Sequence, residues 1–202
     1  ASVSESGSMD IFSVVLTAQP ASDVVLSVTS GDTGEAAVSP ASVTFTPANW
    51  NTARMVTVSG VDDWLLDGNQ ITLVTVGVVD AASDNAFDNA VDQVVFVTTV
   101  DNDTAGIALS RDTAQVSESG STDSFTVALT IQPRAEVVLN VTSGDTGEAT
   151  VSPATLTFNP LTWNVPQTVT VQGVDDASID GPQLTTVTVS VVDASSDDLF
   201  DG

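Results

Sequence analysis

A chain of 202 residues with 42% hydrophobic content is long enough to form two small domains, each burying its own core. Its 27 acidic residues stand against three arginines and no lysine, a formal charge of -24 that repels nucleic-acid backbones and anionic lipid surfaces. The lack of cysteine excludes disulfides and thiolate metal sites, leaving oxygen ligands for any ionic staple, and no apolar run is long enough for a membrane span.

In chain order, period-two alternation predicts a short opening strand around 2–5, then strands at 12–16, 24–29, 42–45, 55–60, 72–79 and 93–100. Turn signals separate them at Gln19-Pro20, Ser30-Gly31-Asp32, Ser39-Pro40, Thr46-Pro47 and Asp67-Gly68. Asp80, Asp84 and Asp88, with Asp193, Asp197 and Asp201 in the second repeat, recur every four residues and fit either another ion site or, as preferred, a solvated helical turn over 83–89 capped by Ser83. Aromatics are scarce, so Val, Leu, Ile and Ala must fill the interior, with Phe12, Phe45, Phe125 and Phe158 as the larger pieces. Seven short strands followed by no sustained 3.6 period predict an antiparallel sandwich.

The text then recurs. Residues 3–89 align with 116–202 at a fixed offset of 113, without a gap and with roughly two-thirds identity. Val3-Ser4-Glu5-Ser6-Gly7 returns at Val116, the 28–36 segment at 141–149, and Gly60-Val61-Asp62-Asp63 at Gly173. A period of this length is a domain, not a solenoid rung. The expected fold class is therefore all-β: two tandem Ig-like antiparallel β-sandwich domains of about seven strands each, residues 1–103 and 104–202. The second is expected to lack its last strand, because the counterpart of 91–103 would fall beyond Gly202, and the whole is expected to be a piece of a longer array.

Acidic residues gather at predicted strand ends. The first repeat has Glu5 on the opening strand, Asp32 after the second long strand, Asp62, Asp63 and Asp67 in one loop, and Asp101 and Asp103 after the last strand. Alternate connections of a sandwich lie at the same end, so these carboxylates can converge, and Ca²⁺ takes six to eight oxygens in irregular geometry. Isolated residues such as Asp23 and Asp92 read as turn formers. The 101–106 segment opens like an EF-hand loop, yet Ala105 in the fifth position and the missing helices reject that reading.

The opening Val-Ser-Glu-Ser-Gly, the Gly-Val-Asp-Asp-x-x-x-Asp-Gly loop and the closing Asp-Asn-Asp resemble the Calx-β family, known from sodium/calcium exchangers and from repeats of giant bacterial surface proteins. The resemblance implies a seven-stranded sandwich with calcium at one tip. Its ligand positions fall on Glu5, Asp32, Asp62, Asp63, Asp67, Asp101 and Asp103, and in the second repeat on Glu118, Asp145, Asp175, Asp176 and Asp180. The spacing around Asp32 departs from the exchanger version. The near-identity of the two repeats is more similar to RTX-type adhesin extenders than to exchanger sensors.

Trp50 and Trp163 occupy equivalent Pro-x-x-Trp-Asn positions and are expected to close one end of each core, whereas Trp64 faces Ala177 in the alignment and is dispensable to the fold. Without His, Cys, Lys or Tyr, catalysis has few groups to use, and no enzyme is expected. The expected role is a structural extender of a bacterial surface adhesin, extracellular and monomeric. Calcium would stiffen it at the loop tips and at the 101–106 junction, and its partners would be neighbouring repeats rather than nucleic acid, membrane or a small-molecule substrate. The alternative is a calcium-dependent adhesion module that itself contacts a carbohydrate or protein ligand. The gapless repeat offers no aromatic-decorated loop for that role.

Overall fold

The computed structural model describes every residue except Ser178, Asp180 and Gly202. The chain divides into two compact units, one of Ala1–Asp63 with Asp67–Asn102 and the other of Trp64–Leu66 with Asp103–Gly202. Both are Ig-like β-sandwiches. No helix among the described residues is long and apolar enough to cross a membrane.

Unit 1 has two sheets. The larger runs in the order β1 (Ser2–Ser4), β8 (Gln93–Val100), β7 (Gln70–Val78), β3 (Val24–Ser30) and β5 (Ser42–Phe45); the smaller runs β2 (Met9–Val14), β6 (Arg54–Gly60) and β4 (Ala36–Ser39). Every pairing is antiparallel except β1 with β8, where Val3 stands opposite Thr99 in a parallel ladder. Alternation does the sorting. Val24, Leu26 and Val28 of β3, Val74 and Val76 of β7, and Val56 and Val58 of β6 point into one core with Phe45 and Val97. Burying each such side chain contributes about 1.5–3 kcal/mol. Trp50 packs against this core, as its position predicts.

Two local features differ from expectation. The β4 strand was not legible, because Ala36-Ala37-Val38-Ser39 is short and weakly patterned; its ladder with β6 makes it a strand. Residues 80–87 form two 3₁₀ turns, Asp80–Ala82 and Asn85–Phe87, and the cap of the second is Asp84, whose Oδ1 accepts from Ala86 N at 3.0 Å. Ser83 instead binds both backbone groups of Val25, and Phe87 packs on the core. The segment is anchored through Ser83 and Phe87, while Asp80 and Asp88 stay exposed to solvent as expected.

Unit 2 repeats the plan. One sheet runs β12 (Ala149–Ser152), β14 (Gln167–Gly173), β10 (Thr122–Leu129) and β9 (Ile107–Leu109), and the other runs β13 (Thr155–Phe158), β11 (Val137–Ser143) and β15 (Val187–Val191). β11 to β14 sit at the repeat offset from β3 to β6 residue for residue, and Phe158, Leu139 and Val169 fill the core that Phe45, Leu26 and Val56 fill in unit 1. β15 is shorter than its counterpart β7, and residues 115–117, the counterparts of β1, form no strand. Among the described residues, β15 is paired with β11 alone.

Candidate metal centre

The site of unit 1 is built on a glycine. Val56, Val58 and Gly60 of β6 share one buried face, and at Gly60 the opening strand crosses so closely that a Cβ would stand 2.1 Å from the Ser4 carbonyl oxygen. No side chain fits there. The crossing is held by Gly60 N donating to Ser8 O at 3.0 Å and by Glu5 N donating to Val100 O at 3.2 Å. It leaves Glu5 fully inside, only 1% exposed.

Two further segments close on Glu5. Val61 N, at 2.9 Å, and Thr99 Oγ1, at 3.3 Å, both donate to the Glu35 carbonyl, which fixes Glu35 just ahead of β4. In the loop after β6, Gly68 adopts φ 79°, a left-handed turn that glycine makes without strain, and its N–H donates to Asp101 Oδ2 at 2.7 Å. Asp101 N in turn donates to Asn69 Oδ1 at 3.1 Å, and Asn102 N donates to Glu5 Oε2 at 3.3 Å.

The result is a carboxylate group centred on Glu5: oxygens of Glu5, Glu35 and Asp67 lie within 4.8 Å of one another. Burial pushes the Glu5 carboxyl up to about 7, with the charges of Asp101, Asp63 and Glu35 adding to it and the Asn102 N–H opposing it. Glu35 is raised as well, first by burial and then by Asp67, Asp63, Asp32 and Asp101. Its Oε2 is buried with no hydrogen-bond partner among the described residues. A buried, orphaned acceptor facing other carboxylates is a costly arrangement that a cation would satisfy. An all-oxygen donor set suits a hard divalent ion such as Ca²⁺, so the residues present fit the ion that the sequence suggests.

Of the seven positions in the first repeat, Glu5 and Asp67 are brought together, Asp101 and Asp63 are close enough to act on both glutamates, and Asp103 belongs to unit 2. Asp62 is exposed and does not belong to the group. Asp32 is also outside it: its Oδ1 accepts from Gly34 N at 2.9 Å, making the tight turn that presents Glu35. Glu35 is the residue sequence reasoning missed. The shared Gly-Glu-Ala text carried it in both repeats, but its inward placement depends on β4.

In unit 2 the same scaffold recurs. A Cβ on Gly173 would stand 2.1 Å from Ser117 O, and Asp145 Oδ1 accepts from Gly147 N at 2.9 Å. Glu118 and Glu148 are half-buried, Asp175 and Asp176 are exposed, and Asp180 lies outside the described residues. Among the described residues, unit 2 contributes no group of three converging carboxylates.

No protein-family model matches the sequence, and no curated protein matches it. Solved structures do. The calcium-binding domain CBD12 of CALX1.1 is 14% identical over 94% of this chain and 76% of that one, with a TM-score of 0.39. Domains 4 and 5 of the S-layer protein SbsC are 24% identical over 82% of this chain and 64% of that one, with a TM-score of 0.36. The E. coli chaperone DraB is 9% identical over 96% of this chain and 89% of that one, with a TM-score of 0.37.

Proposed function

We propose that this chain is a structural extender of a bacterial surface adhesin, an array of sandwich modules stapled by Ca²⁺. The observation that carries the reading is the convergence of Glu5, Glu35 and Asp67 within 4.8 Å around a carboxylate that is 1% exposed. Left without a cation, ionised carboxylates at that spacing repel one another, and burial adds to the cost. With Ca²⁺ bound, the same groups tie the opening strand, the start of β4, the 61–69 loop and the exit of β8 to one point.

Asp101, whose charge acts on Glu5 and Glu35, extends the staple to the exit of β8. An array so held is a spacer. Its neighbours in the chain are its partners, it works as a monomer outside the cell, and it carries out no catalysis. Supporting this are the gapless repeat, the absence of His, Cys, Lys and Tyr, and the charge of -24, which keeps modules apart from one another and from anionic surfaces.

Extracellular calcium modules bind with dissociation constants of roughly 10⁻⁴–10⁻³ M, so calcium at 100 times the tighter value adds about 2.7 kcal/mol of stability. The test is a thermal melt of the chain in 10 mM calcium and in chelator. The expected outcome is a higher melting temperature in calcium by several degrees. Equal melting temperatures within error would sink the metal-stapled reading.

A further inference from the structure

Unit 1 holds a cation where its repeat has none. Arg54 stands on the core-facing side of β6 with Val56 and Val58, and the equivalent residue of unit 2 is Gln167. Arg111 pairs with Asp123, and Arg134 donates to Leu66 O. Among the described residues, Arg54 enters no ion pair, and its Nε is buried without a hydrogen-bond partner. An N–H buried in that way is costly until an acceptor reaches it. Arg54 also lines a shallow depression of about 450 Å³ with Pro40, Ser42, Val43, Thr44 and Met55, all of unit 1.

The depression opens at the outer edge of the larger sheet, where β5 has β3 on one side and, among the described residues, no strand on the other. Val28 N donates to Ala41 O at 2.9 Å, whereas Val25, opposite Thr44, takes Ser83 Oγ and Val79 N as its partners. The ladder therefore turns the main-chain groups of Val43 and Phe45 toward β3 and those of Ser42 and Thr44 toward the open edge. In unit 2 the equivalent edge is covered. There Gln167 Nε2 donates at 2.7 Å to Thr157 O, the counterpart of Thr44 O. An arginine Nε lies as many bonds from its Cα as a glutamine Nε2, yet Arg54 Nε makes no such bond. The same position caps the edge strand in one module and leaves it open beside a positive charge in the other.

We propose that the β5 edge of unit 1 is a docking site for an extended partner segment that carries a carboxylate side chain. The segment adds to β5 through the outward N–H and C=O groups of Ser42 and Thr44, and its Asp or Glu side chain lies in the depression and accepts from the Arg54 guanidinium. Charge complementarity selects this occupant. The charged group of the depression is a cation left unneutralised in a chain of formal charge -24, and a guanidinium presents paired N–H donors that match the two oxygens of a carboxylate. The net charge repels acidic segments at long range, so close pairing with Arg54 supplies the selection, and main-chain bonds supply the attachment. The site shares no residue with the Glu5 group and works without calcium.

The test uses the full 202-residue chain, in chelator so that its outcome is separate from that of the calcium reading. Salt at 0.15 M screens the negative charge beyond roughly 8 Å. The probe is a fluorescent, end-capped peptide of alternating valine and serine with one central glutamate, and a second peptide has glutamine in its place. Anisotropy with the glutamate peptide should saturate at one peptide per chain, and the glutamine peptide should bind about tenfold more weakly or worse. Arg54→Gln, a change to the side chain that the fold accepts at position 167, should erase that difference. Thr44→Pro, which removes an outward N–H and spares the ladder with β3, should weaken both peptides, and melts of the two variants check that they fold. Hydrogen exchange should gain protection at Ser42 and Thr44. No saturable binding, equal affinity for the two peptides, a glutamate preference that survives Arg54→Gln, or protection that leaves Ser42 and Thr44 unchanged would each overturn the proposal. So would displacement of the peptide by an equal concentration of acetate, since the occupant would then be a free carboxylate and not a strand.

Discussion

The Cα of Gly60 faces the Ser4 carbonyl so directly that an added Cβ would stand 2.1 Å from its oxygen and 2.6 Å from its carbon. Both obstacles are backbone and cannot rotate away. Gly60→Ala is therefore expected to push the opening strand off β6, to destabilise by about 3 kcal/mol or more, and to reduce the calcium-induced rise in melting temperature by displacing Glu5. Gly34→Ala is the contrast, because its Cβ would meet only the Asp32 carboxylate at 3.2 Å, the end of a side chain that can shift. Melts of both variants with and without calcium check this. Equal behaviour of the two would refute the role given to the crossing.

The raised carboxyl of Glu5 sets a pH dependence with a definite sign. Its folded-state value of about 7 lies above the ordinary 4.5, so between those values the folded chain holds a proton that the unfolded chain has lost. Stability in chelator should therefore fall as pH rises from about 4.5 to 7, by an amount on the order of 3 kcal/mol. The raised value of Glu35 works in the same direction. Calcium binds the ionised forms, so in excess calcium the decline should flatten or reverse. Chemical denaturation at pH 5, 6, 7 and 8 reads both curves, and a decline unchanged by calcium would separate the titration from the ion.

Glu35→Gln removes one charge from the cluster while keeping the shape of the side chain. In chelator at pH 7.5 the variant should be as stable as the parent or more so by about 1 kcal/mol, because a buried carboxylate with an orphaned oxygen has become neutral. In calcium it should lose most of the stabilisation the parent gains. Asp32→Asn, at a residue that serves the turn through Gly34 N, should keep most of that gain. Calcium titrations followed by melting temperature compare the two. The ligand assignment fails if Asp32→Asn costs more calcium stabilisation than Glu35→Gln.

That comparison also marks where sequence reasoning reaches and where it stops. Period-two alternation placed β3, β5 and β8 almost to the residue, because Val24, Leu26 and Val28 or Val97 alternate plainly with polar neighbours. The same rule could not see β4, which owes its strand form to its ladder with β6, and without β4 there was no reason to turn Glu35 inward. Asp32, an acid at a predicted loop, was the natural choice on spacing. The fold gives it to a backbone N–H instead. Glu5, Asp67 and Asp101 stand at ends of strands that alternation locates, which is why the sequence offers them as candidates.

Asp197, at the 3₁₀ corner of unit 2, gives the opposite result. Asp197 is 7% exposed, and its oxygens accept from the backbone N–H groups of Leu199, Ala135 and Arg134. Burial alone would raise its carboxyl, yet these donors and the Arg134 charge bring it below the ordinary value. The sign is thus reversed from Glu5: its contribution is present above the ordinary carboxylate range and is lost as pH falls through the lowered value. Asp197→Ala leaves three backbone donors without their acceptor and should destabilise by about 2 kcal/mol. The loss should be equal in calcium and in chelator, since the three partners it loses are backbone N–H groups. Paired melts at pH 7 measure the two losses. A loss seen only in calcium would move Asp197 from the corner's scaffold to a metal site of its own.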